Sequence, residues 1–282
     1  MVTFEFMSQD YVYKTSVNNE ISITTFGNRN LNSSKCIIYC HGFKGFKDWG
    51  FVPYLGKYFA EHGYFVITFN FSHNGIGKNP LEFTELDKFA ENTFSLEVSE
   101  LNEIISALSD GYFGKIINPK IGIIGHSRGG AVALLASYLN DKVNALVTWS
   151  SISKLDRYSE RQKKGWLSKG YFEAVNSRTH QVMRMNKTLL EDIIKNKNGL
   201  LNIEKAAKNL KMPWLIVHGE QDLTVKPGEA GQLYQWSDKN FTELYLIPSA
   251  GHTFNISHPM ERVSEPLNKV LEKTEKFIEK IK

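Results

Sequence analysis

Apolar residues along this chain fall into short, dense runs that are separated by polar segments. Such runs, bounded by glycine, proline or charged residues, are typical of buried β-strands. They predict strands near 20–26, 36–40, 64–71, 120–126, 143–150, 213–218 and 242–247.

Between these runs, longer segments repeat their apolar residues at helical spacing. Leu101, Ile104, Ile105 and Leu108, for example, share one face of a helix. The same spacing predicts helices near 51–62, 93–109, 129–139 and 266–282. Strands therefore alternate with helices, which is typical of an α/β fold. The 282 residues suit one such domain, 1–282.

The segment 152–211 lies between two predicted strands and is longer than a crossover between parallel strands requires. We expect the excess to form a helical lid within the domain, over the carboxyl ends of the strands. Its 14 Lys and Arg against 6 Asp and Glu give a charge of +8, whereas the whole chain carries +4. This bias either attracts an anionic substrate or is a solvated helix surface. Trp166, Phe172 and Met183 are candidate substrate contacts, although some large side chains of the segment must form its own core.

Composition is that of a soluble globular protein, with 41% hydrophobic and 23% charged residues. The N-terminus lacks the basic and apolar regions of a signal peptide, and no segment is long and apolar enough for a membrane span. Cys36 and Cys40 lie in one predicted strand, about 13 Å apart at ~3.3 Å per residue, which is too far for a disulfide. Neither has the spacing of a metal ligand. We therefore expect a cytoplasmic protein with reduced thiols and no metal, and the modest charge argues against nucleic acid.

The predicted strand 120–126 runs directly into Gly125-His126-Ser127-Arg128-Gly129, after which a helix begins. A Gly-x-Ser-x-Gly sequence between strand and helix is typical of a nucleophile elbow. The sharp turn has no room for side chains two residues before and after the serine, so glycine occupies both positions. The turn lifts the Ser127 hydroxyl out of the sheet, to where the N–H groups of the helix N-terminus point. The pattern predicts Ser127 as a nucleophile.

A serine nucleophile needs a base, and the base needs a partner that orients it. Asp222 and His252 each follow a later predicted strand, which gives the chain order Ser, Asp, His of this architecture. The strand ends meet at one edge of the sheet, where open α/β sheets bind ligands. Glu220 is an alternative orienter and His73 an alternative base. We prefer Asp222 because Glu220 is nearer the strand and fits the turn.

The predicted strand 36–40 ends in His41-Gly42-Phe43, and a loop follows. Acyl hydrolysis needs backbone N–H donors at the forming oxyanion. We expect the N–H groups of Phe43 and of Arg128, directly after the nucleophile, to form this oxyanion hole. His41 and Gly42 then shape the loop, and an ordinary strand–helix connection is the alternative.

Together these motifs resemble the α/β-hydrolase superfamily over nearly the whole chain. The His-Gly-Phe turn, the Gly-His-Ser-Arg-Gly-Gly elbow and the insertion before the acid strand are similar to the dienelactone-hydrolase-like and feruloyl or cinnamoyl esterase-like group. The resemblance implies a mostly parallel eight-stranded sheet flanked by helices, no cofactor, and a triad of Ser127, Asp222 and His252. Dienelactone hydrolase itself has a cysteine where this chain has Ser127.

These features predict a serine carboxylesterase that cleaves small acyl or aryl esters through an acyl-enzyme. The alternatives are an acyltransferase, thioesterase or peptidase with the same triad, or a non-catalytic binding protein of the fold. The small insertion argues against an oligopeptidase, and the intact nucleophile, acid and base argue against a binding protein. The acyl group, the alcohol and a homodimer are left open.

Overall fold

The computed structural model describes residues 8–280. The strands are β1 (Gln9–Lys14), β2 (Glu20–Phe26), β3 (Lys35–Cys40), β4 (Phe65–Phe69), β5 (Lys120–His126), β6 (Val143–Trp149), β7 (Tyr171–Val175), β8 (Val182–Asn186), β9 (Trp214–Gly219) and β10 (Thr242–Ile247). The helices are α1 (Val52–Glu61), α2 (Leu86–Ala90), α3 (Phe94–Ser109), α4 (Arg128–Leu139), α5 (Glu160–Lys169), α6 (Lys187–Asn196), α7 (Ile203–Asn209), α8 (Gly228–Trp236) and α9 (Glu265–Ile278).

Eight of these strands form one sheet in the order β1-β2-β4-β3-β5-β6-β9-β10. The pairs β1–β2 and β2–β4 are antiparallel, and the other pairs are parallel. The sheet confirms the predicted α/β-hydrolase fold, mostly parallel and flanked by helices. Strands β3, β5, β6, β9 and β10 therefore all end at the same edge, so the residues that follow them are brought together.

Alternate side chains of the buried strands pack on opposite faces of the sheet, as the period of a strand requires. In β3, Ile38 and Cys40 join the core that also contains residues of α3 and α4. Ile37 and Tyr39 join the second core, with residues of α1 and α9. Helices on both faces thus bury the central strands, which holds the strand ends in a fixed arrangement.

The seven predicted strands and four predicted helices all lie within one to two residues of observed elements, except at the C-terminus. There α9 ends at Ile278, and 281–282 lie outside the described residues, as do 1–7 of the N-terminus examined for a signal peptide. Strand β1 was missed because it is an edge strand, mostly exposed, with no dense apolar run. Within 8–280, none of the helices combines the length and apolar character needed to cross a bilayer.

The 152–211 segment is not purely helical, which corrects the prediction. Between α5 and α6 it forms the antiparallel hairpin of β7 and β8. The alternation of buried Met183 and Met185 with exposed Val182 and Arg184 is a strand signal that the prediction overlooked. Helix α6 packs on α3, α7 on α4, and β8 on α2. The segment therefore rests on the helices of one sheet face.

Candidate active site

Ser127 lies in the sharp turn between β5 and α4. Its backbone φ of 58° and ψ of −121° are strained for a residue with a side chain. The two flanking glycines are required by space. A Cβ at Gly125 would lie 2.5 Å from the carbonyl oxygen of Gly129, and a Cβ at Gly129 would lie 2.3 Å from that of His41. The elbow thus has the geometry that its sequence predicts.

The side chains of Ser127, His252 and Asp222 form one hydrogen-bonded chain. Nε2 of His252 lies 3.0 Å from Oγ of Ser127, and Nδ1 lies 2.7 Å from Oδ2 of Asp222. The buried carboxylate accepts the Nδ1–H proton, so Nε2 is left as the acceptor that faces the serine hydroxyl. Strand ends β5, β9 and β10 bring these three residues together from distant parts of the chain.

Asp222 is held in its charged form by its surroundings. Burial alone would raise its pKa, but hydrogen bonds from His218, His252 and the Val225 N–H outweigh burial and hold the pKa well below its ordinary value. Oδ1 accepts the N–H groups of Thr224 and Val225 at 2.9 and 2.8 Å. A carboxylate fixed on both oxygens can orient and stabilise an imidazolium at His252.

Two further histidines hold the hydrogen-bonded series of Ser127, His252 and Asp222 in place, a role that the sequence did not predict. Nε2–H of His126 donates to the backbone carbonyl of His252 at 2.9 Å, which ties the base to the elbow. Burial, reinforced by nearby His252, lowers the pKa of His126 to about 3, so the ring is neutral. His218 in β9 donates to the Val225 carbonyl at 2.8 Å and lies 3.3 Å from Oδ2 of Asp222. Both act on the orientation of the base or its partner.

The loop after β3 packs closely against the nucleophile. A Cβ at Gly42 would lie 2.8 Å from Cβ of Ser127, so glycine is needed for this approach. His41 shapes the loop: Nδ1–H donates to the Gly42 carbonyl at 2.9 Å, and Nε2 accepts the Phe71 N–H at 3.3 Å. Burial lowers the pKa of His41 to about 4, which keeps the ring neutral. Phe43 follows Gly42 directly, so its N–H belongs to the part of the loop that lies beside the serine.

The side chain of Arg128 makes a buried ion pair that the sequence did not reveal. Nε donates to Oε2 of Glu97 in α3 at 2.8 Å, and both side chains are more than nine-tenths buried. The guanidinium also stacks over the Phe94 ring, 3.9 Å from its centroid. These contacts fix the first residue of α4, whose backbone N–H has no partner within its own helix.

A cavity of about 450 Å³ opens beside Ser127 and His252. The His-Gly-Phe loop, the residues after His252 and the turn of the β7–β8 hairpin line it. The hairpin contributes Asn176, Ser177 and Arg178. Part of the 152–211 segment therefore lies at the same cavity as the serine hydroxyl.

The structure places the three predicted substrate contacts of this segment away from the cavity lining. Trp166 and Met183 are buried in the core, and Phe172 packs against it. Trp166 and Phe172 have ring centroids 5.3 Å apart, and Tyr158 packs on both. Because these rings pack against one another inside the segment, they stabilise it and do not line the cavity. The hairpin turn lines the cavity in their place.

The two alternative site residues lie elsewhere. Glu220 is exposed, and its backbone N–H donates to the Ile247 carbonyl. A ring nitrogen of His73 is 2.6 Å from the Ser72 hydroxyl. Neither takes part in the hydrogen-bonded chain at Ser127.

Two protein-family models match the chain, each over more than half of its length. The model of the alpha/beta hydrolase fold matches residues 35–183. The model described as BAAT / acyl-CoA thioester hydrolase C terminal matches residues 113–268.

Individual proteins and solved structures are also similar to the chain, at 18–27% identity. The chain is 27% identical to "Putative esterase/lipase 2" of Mycoplasma genitalium over 270 residues, 87% of this chain and 92% of the relative. It is 24% identical to a 2-hydroxy-6-oxo-6-(2'-aminophenyl)hexa-2,4-dienoic acid hydrolase of Metapseudomonas resinovorans over 194 residues, 60% of this chain and less than two thirds (63%) of that enzyme. The structure of Est1E from Butyrivibrio proteoclasticus with bound ferulic acid matches with a TM-score of 0.74 and 18% identity, covering 96% of this chain and 99% of that one.

Proposed function

Because the chain belongs to the alpha/beta hydrolase fold family, we propose that it is a serine hydrolase whose substrates are carboxylic esters. The observation that carries the proposal is the chain of hydrogen bonds from Ser127 through His252 to Asp222, at 3.0 and 2.7 Å. Nucleophile, base and orienting carboxylate stand in the order and distances that acyl transfer requires. The similarity to a putative esterase/lipase and to a dienoic acid hydrolase supports hydrolysis as the reaction class.

In this mechanism Oγ of Ser127 attacks the acyl carbonyl carbon while Nε2 of His252 takes the hydroxyl proton. The negative charge that forms on the carbonyl oxygen is met by the N–H groups of Phe43 and Arg128. Asp222 stabilises the imidazolium through Nδ1–H. When the tetrahedral intermediate collapses, the bond to the alcohol breaks and His252 gives its proton to the leaving oxygen.

The acyl group is then bound to Ser127 as an ester. A water molecule takes the place of the alcohol, gives a proton to His252 and attacks the acyl carbon. The second intermediate releases the carboxylic acid and returns the proton to Ser127. The buried ion pair of Arg128 with Glu97 keeps one oxyanion donor in place during both steps. The 152–211 segment acts as a lid, with its hairpin turn at the cavity.

Labelling tests this function most directly. A fluorophosphonate is expected to modify Ser127, and p-nitrophenyl esters of graded chain length, beside methyl ferulate, are expected to be hydrolysed. Labelling at another serine, or hydrolysis of these esters by Ser127→Ala at the wild-type rate, would refute the proposal.

A thioesterase is the second candidate, because a model of acyl-CoA thioester hydrolases matches residues 113–268. The same triad would attack a thioester carbonyl and release a thiol. Assays with acyl-CoA thioesters and oxygen esters of the same acyl chain separate the two functions. The ester proposal requires a higher kcat/KM with the oxygen esters.

A further inference from the structure

The cavity beside Ser127 has an uneven charge. Lys44 and Arg178 line it from two different elements, the loop after β3 and the turn of the β7–β8 hairpin. Among the described residues, those that line the cavity include no aspartate and no glutamate. The two cations therefore stand in the cavity wall without a carboxylate to balance them, which favours an anionic ligand.

Lys44 is held at the cavity by an uncharged partner. Its Nζ donates to the Val175 backbone carbonyl at 2.6 Å, at the end of β7. Its charge also lies 5.1 Å from the centroid of the Phe43 ring. An ammonium has three donors, and two of them have no hydrogen-bond acceptor among the described residues. Partial burial lowers the pKa of Lys44 below its ordinary value, since water solvates the charge incompletely. A carboxylate of the ligand would compensate that loss of solvation.

Arg178 has no ion-pair partner within residues 8–280, whereas Arg157, Lys163 and Arg184 of the same segment are each paired with a carboxylate. Its guanidinium stacks over the Phe46 ring, 5.8 Å from the centroid. That aromatic contact orients the planar fork and leaves its donors open to a bidentate partner. Phe46 is fully buried, so it is a fixed support for the guanidinium.

His258 adds a third donor on the same side. Its Nδ1 accepts the Gly50 N–H at 2.8 Å, which places the proton of the neutral ring on Nε2. The ring packs edge-on against Phe46, with centroids 5.2 Å apart. Burial, together with the charge of Arg178, outweighs the opposing charge of Asp48 and lowers the pKa of His258, so the ring stays a neutral N–H donor. Asp48 is itself paired with Lys47 at 2.9 Å. Arg178 and His258 thus flank the same aromatic ring at the cavity wall.

We propose that this wall is an anion subsite, formed by Lys44, Arg178 and His258, and that the preferred ester carries a carboxylate or phosphate group. The proposal rests on the proposed function, because it takes Ser127 as the nucleophile of the same cavity. The attraction for anions then comes from the hairpin turn together with the loop after β3 and the segment after His252. The lysines of α5 are a poorer source, since Lys163 is already paired with Asp156 at 2.7 Å and with Glu160 at 2.6 Å.

Pairs of esters that differ only in charge test the subsite. For an anion on the acyl side, p-nitrophenyl hemiglutarate is compared with p-nitrophenyl 5-methylhexanoate, in which an isopropyl group replaces the carboxylate. For an anion on the alcohol side, 4-acetoxybenzoate is compared with 4-isopropylphenyl acetate, and 4-acetoxyphenyl phosphate replaces carboxylate by phosphate. The measurement is the ratio of kcat/KM for the anionic ester to that for its neutral counterpart.

At low salt we expect a ratio of about ten or more for at least one pair, falling toward one in 0.5 M NaCl because salt screens the exposed part of the field. Arg178→Gln is expected to lower the ratio about tenfold, and Lys44→Gln to lower it in the same direction. Arg178→Lys keeps the charge but loses the fork, so an intermediate ratio is expected. Lys164→Gln is the matched control: Lys164 is an exposed lysine of α5 away from the cavity, and the ratio is expected to stay at the wild-type value.

The outcomes separate this inference from the function on which it rests. Hydrolysis of neutral esters with ratios near one for every pair overturns the anion subsite and leaves the esterase intact. An unchanged ratio in Arg178→Gln also overturns it. Failure to hydrolyse any ester, with no fluorophosphonate label on Ser127, overturns the proposed function and the subsite together.

Discussion

Asp222→Asn removes the charge that orients His252 and keeps the shape of the side chain. Oδ1 of Asp222 accepts the N–H groups of Thr224 and Val225 at 2.9 and 2.8 Å, and Oδ2 accepts Nδ1–H of His252 at 2.7 Å. An asparagine amide has one acceptor oxygen and one NH₂ donor. If the NH₂ faced Thr224 and Val225 it would meet two donors. On the other side, His252 can become an acceptor by moving its ring proton, and the N–H of His218, 3.3 Å from Oδ2, already donates to the Val225 carbonyl at 2.8 Å. We therefore expect the oxygen to stay with the two backbone N–H groups and the NH₂ to face His252.

This orientation reverses the roles of the imidazole nitrogens. The new NH₂ donates to Nδ1 of His252, so the ring proton moves to Nε2. Nε2 then faces Oγ of Ser127 at about the same 3.0 Å but as a donor, and it cannot take the serine proton. The corresponding change in a serine protease lowers kcat about 10⁴-fold. We expect a loss of about 10³ to 10⁴-fold here, which is roughly 4 to 5.4 kcal/mol in the activation barrier.

The assay is kcat for p-nitrophenyl butyrate, measured beside the rate of fluorophosphonate labelling. Both are expected to fall together, while the free energy of unfolding in urea falls by only about 1–3 kcal/mol for the lost charge-assisted hydrogen bond. Glu220→Gln is the control, because Glu220 is exposed and two residues away, and its kcat is expected to stay within twofold of wild type. A loss below tenfold in folded Asp222→Asn would refute the assignment of Asp222 as the orienter.

Three further changes separate chemistry from packing. Ser127→Ala is expected to abolish turnover and labelling with little change in melting temperature, because alanine occupies the same strained turn; a large drop in melting temperature would contradict this. Glu100 is a buried residue of α3, and burial raises its pKa to about 7. Its protonated form therefore contributes fully to the free energy of unfolding below pH ~4.3, and this contribution is lost as the pH rises through 7. The free energy of unfolding in urea of Glu100→Gln, relative to that of wild type, should therefore rise by up to roughly 3 kcal/mol between pH 5 and pH 8. A difference that stays constant with pH would show that Glu100 does not titrate in this way. Trp166→Ala should lose about 3–5 kcal/mol of stability and keep the wild-type preference among p-nitrophenyl ester chain lengths, whereas a changed preference in a stable variant would restore Trp166 as a substrate contact.

The main elements and the three residues of the hydrogen-bonded chain could be predicted because local signals coincide with the topology. Ser127 directly follows a dense apolar run, Asp222 and His252 follow such runs after a short turn, and parallel strands bring such positions to one edge. The elbow adds a steric requirement for glycine that is visible in the sequence itself. Where the apolar run was weak, as in the exposed edge strand β1, the prediction failed.

The neighbours of these residues could not be predicted, since nothing local marks them. Glu97 lies in the first turn of α3, and its position there reveals no partner. Its pairing with Arg128 depends on how α3 packs against α4, which is a tertiary fact. The same holds for His126, whose bond to the His252 carbonyl needs the strand ends to be in place. Burial then keeps the His126 ring neutral by lowering its pKa.

The interior position of the predicted substrate contacts has a different reason. Large apolar side chains in an insertion tend to pack against one another. Burying an aromatic ring in a small core removes more of its surface from water, and so stabilises the fold more, than leaving it at an open cavity. Trp166 and Phe172 therefore pack in the interior of the 152–211 segment, and polar residues of the tight hairpin turn reach the cavity. Side-chain contacts join the hairpin to the rest of the site, such as Lys44 with the Val175 carbonyl at the end of β7 and Arg178 with the Phe46 ring. Substitutions in it are thus expected to change which ester is bound while the strand ends that perform the chemistry keep their geometry.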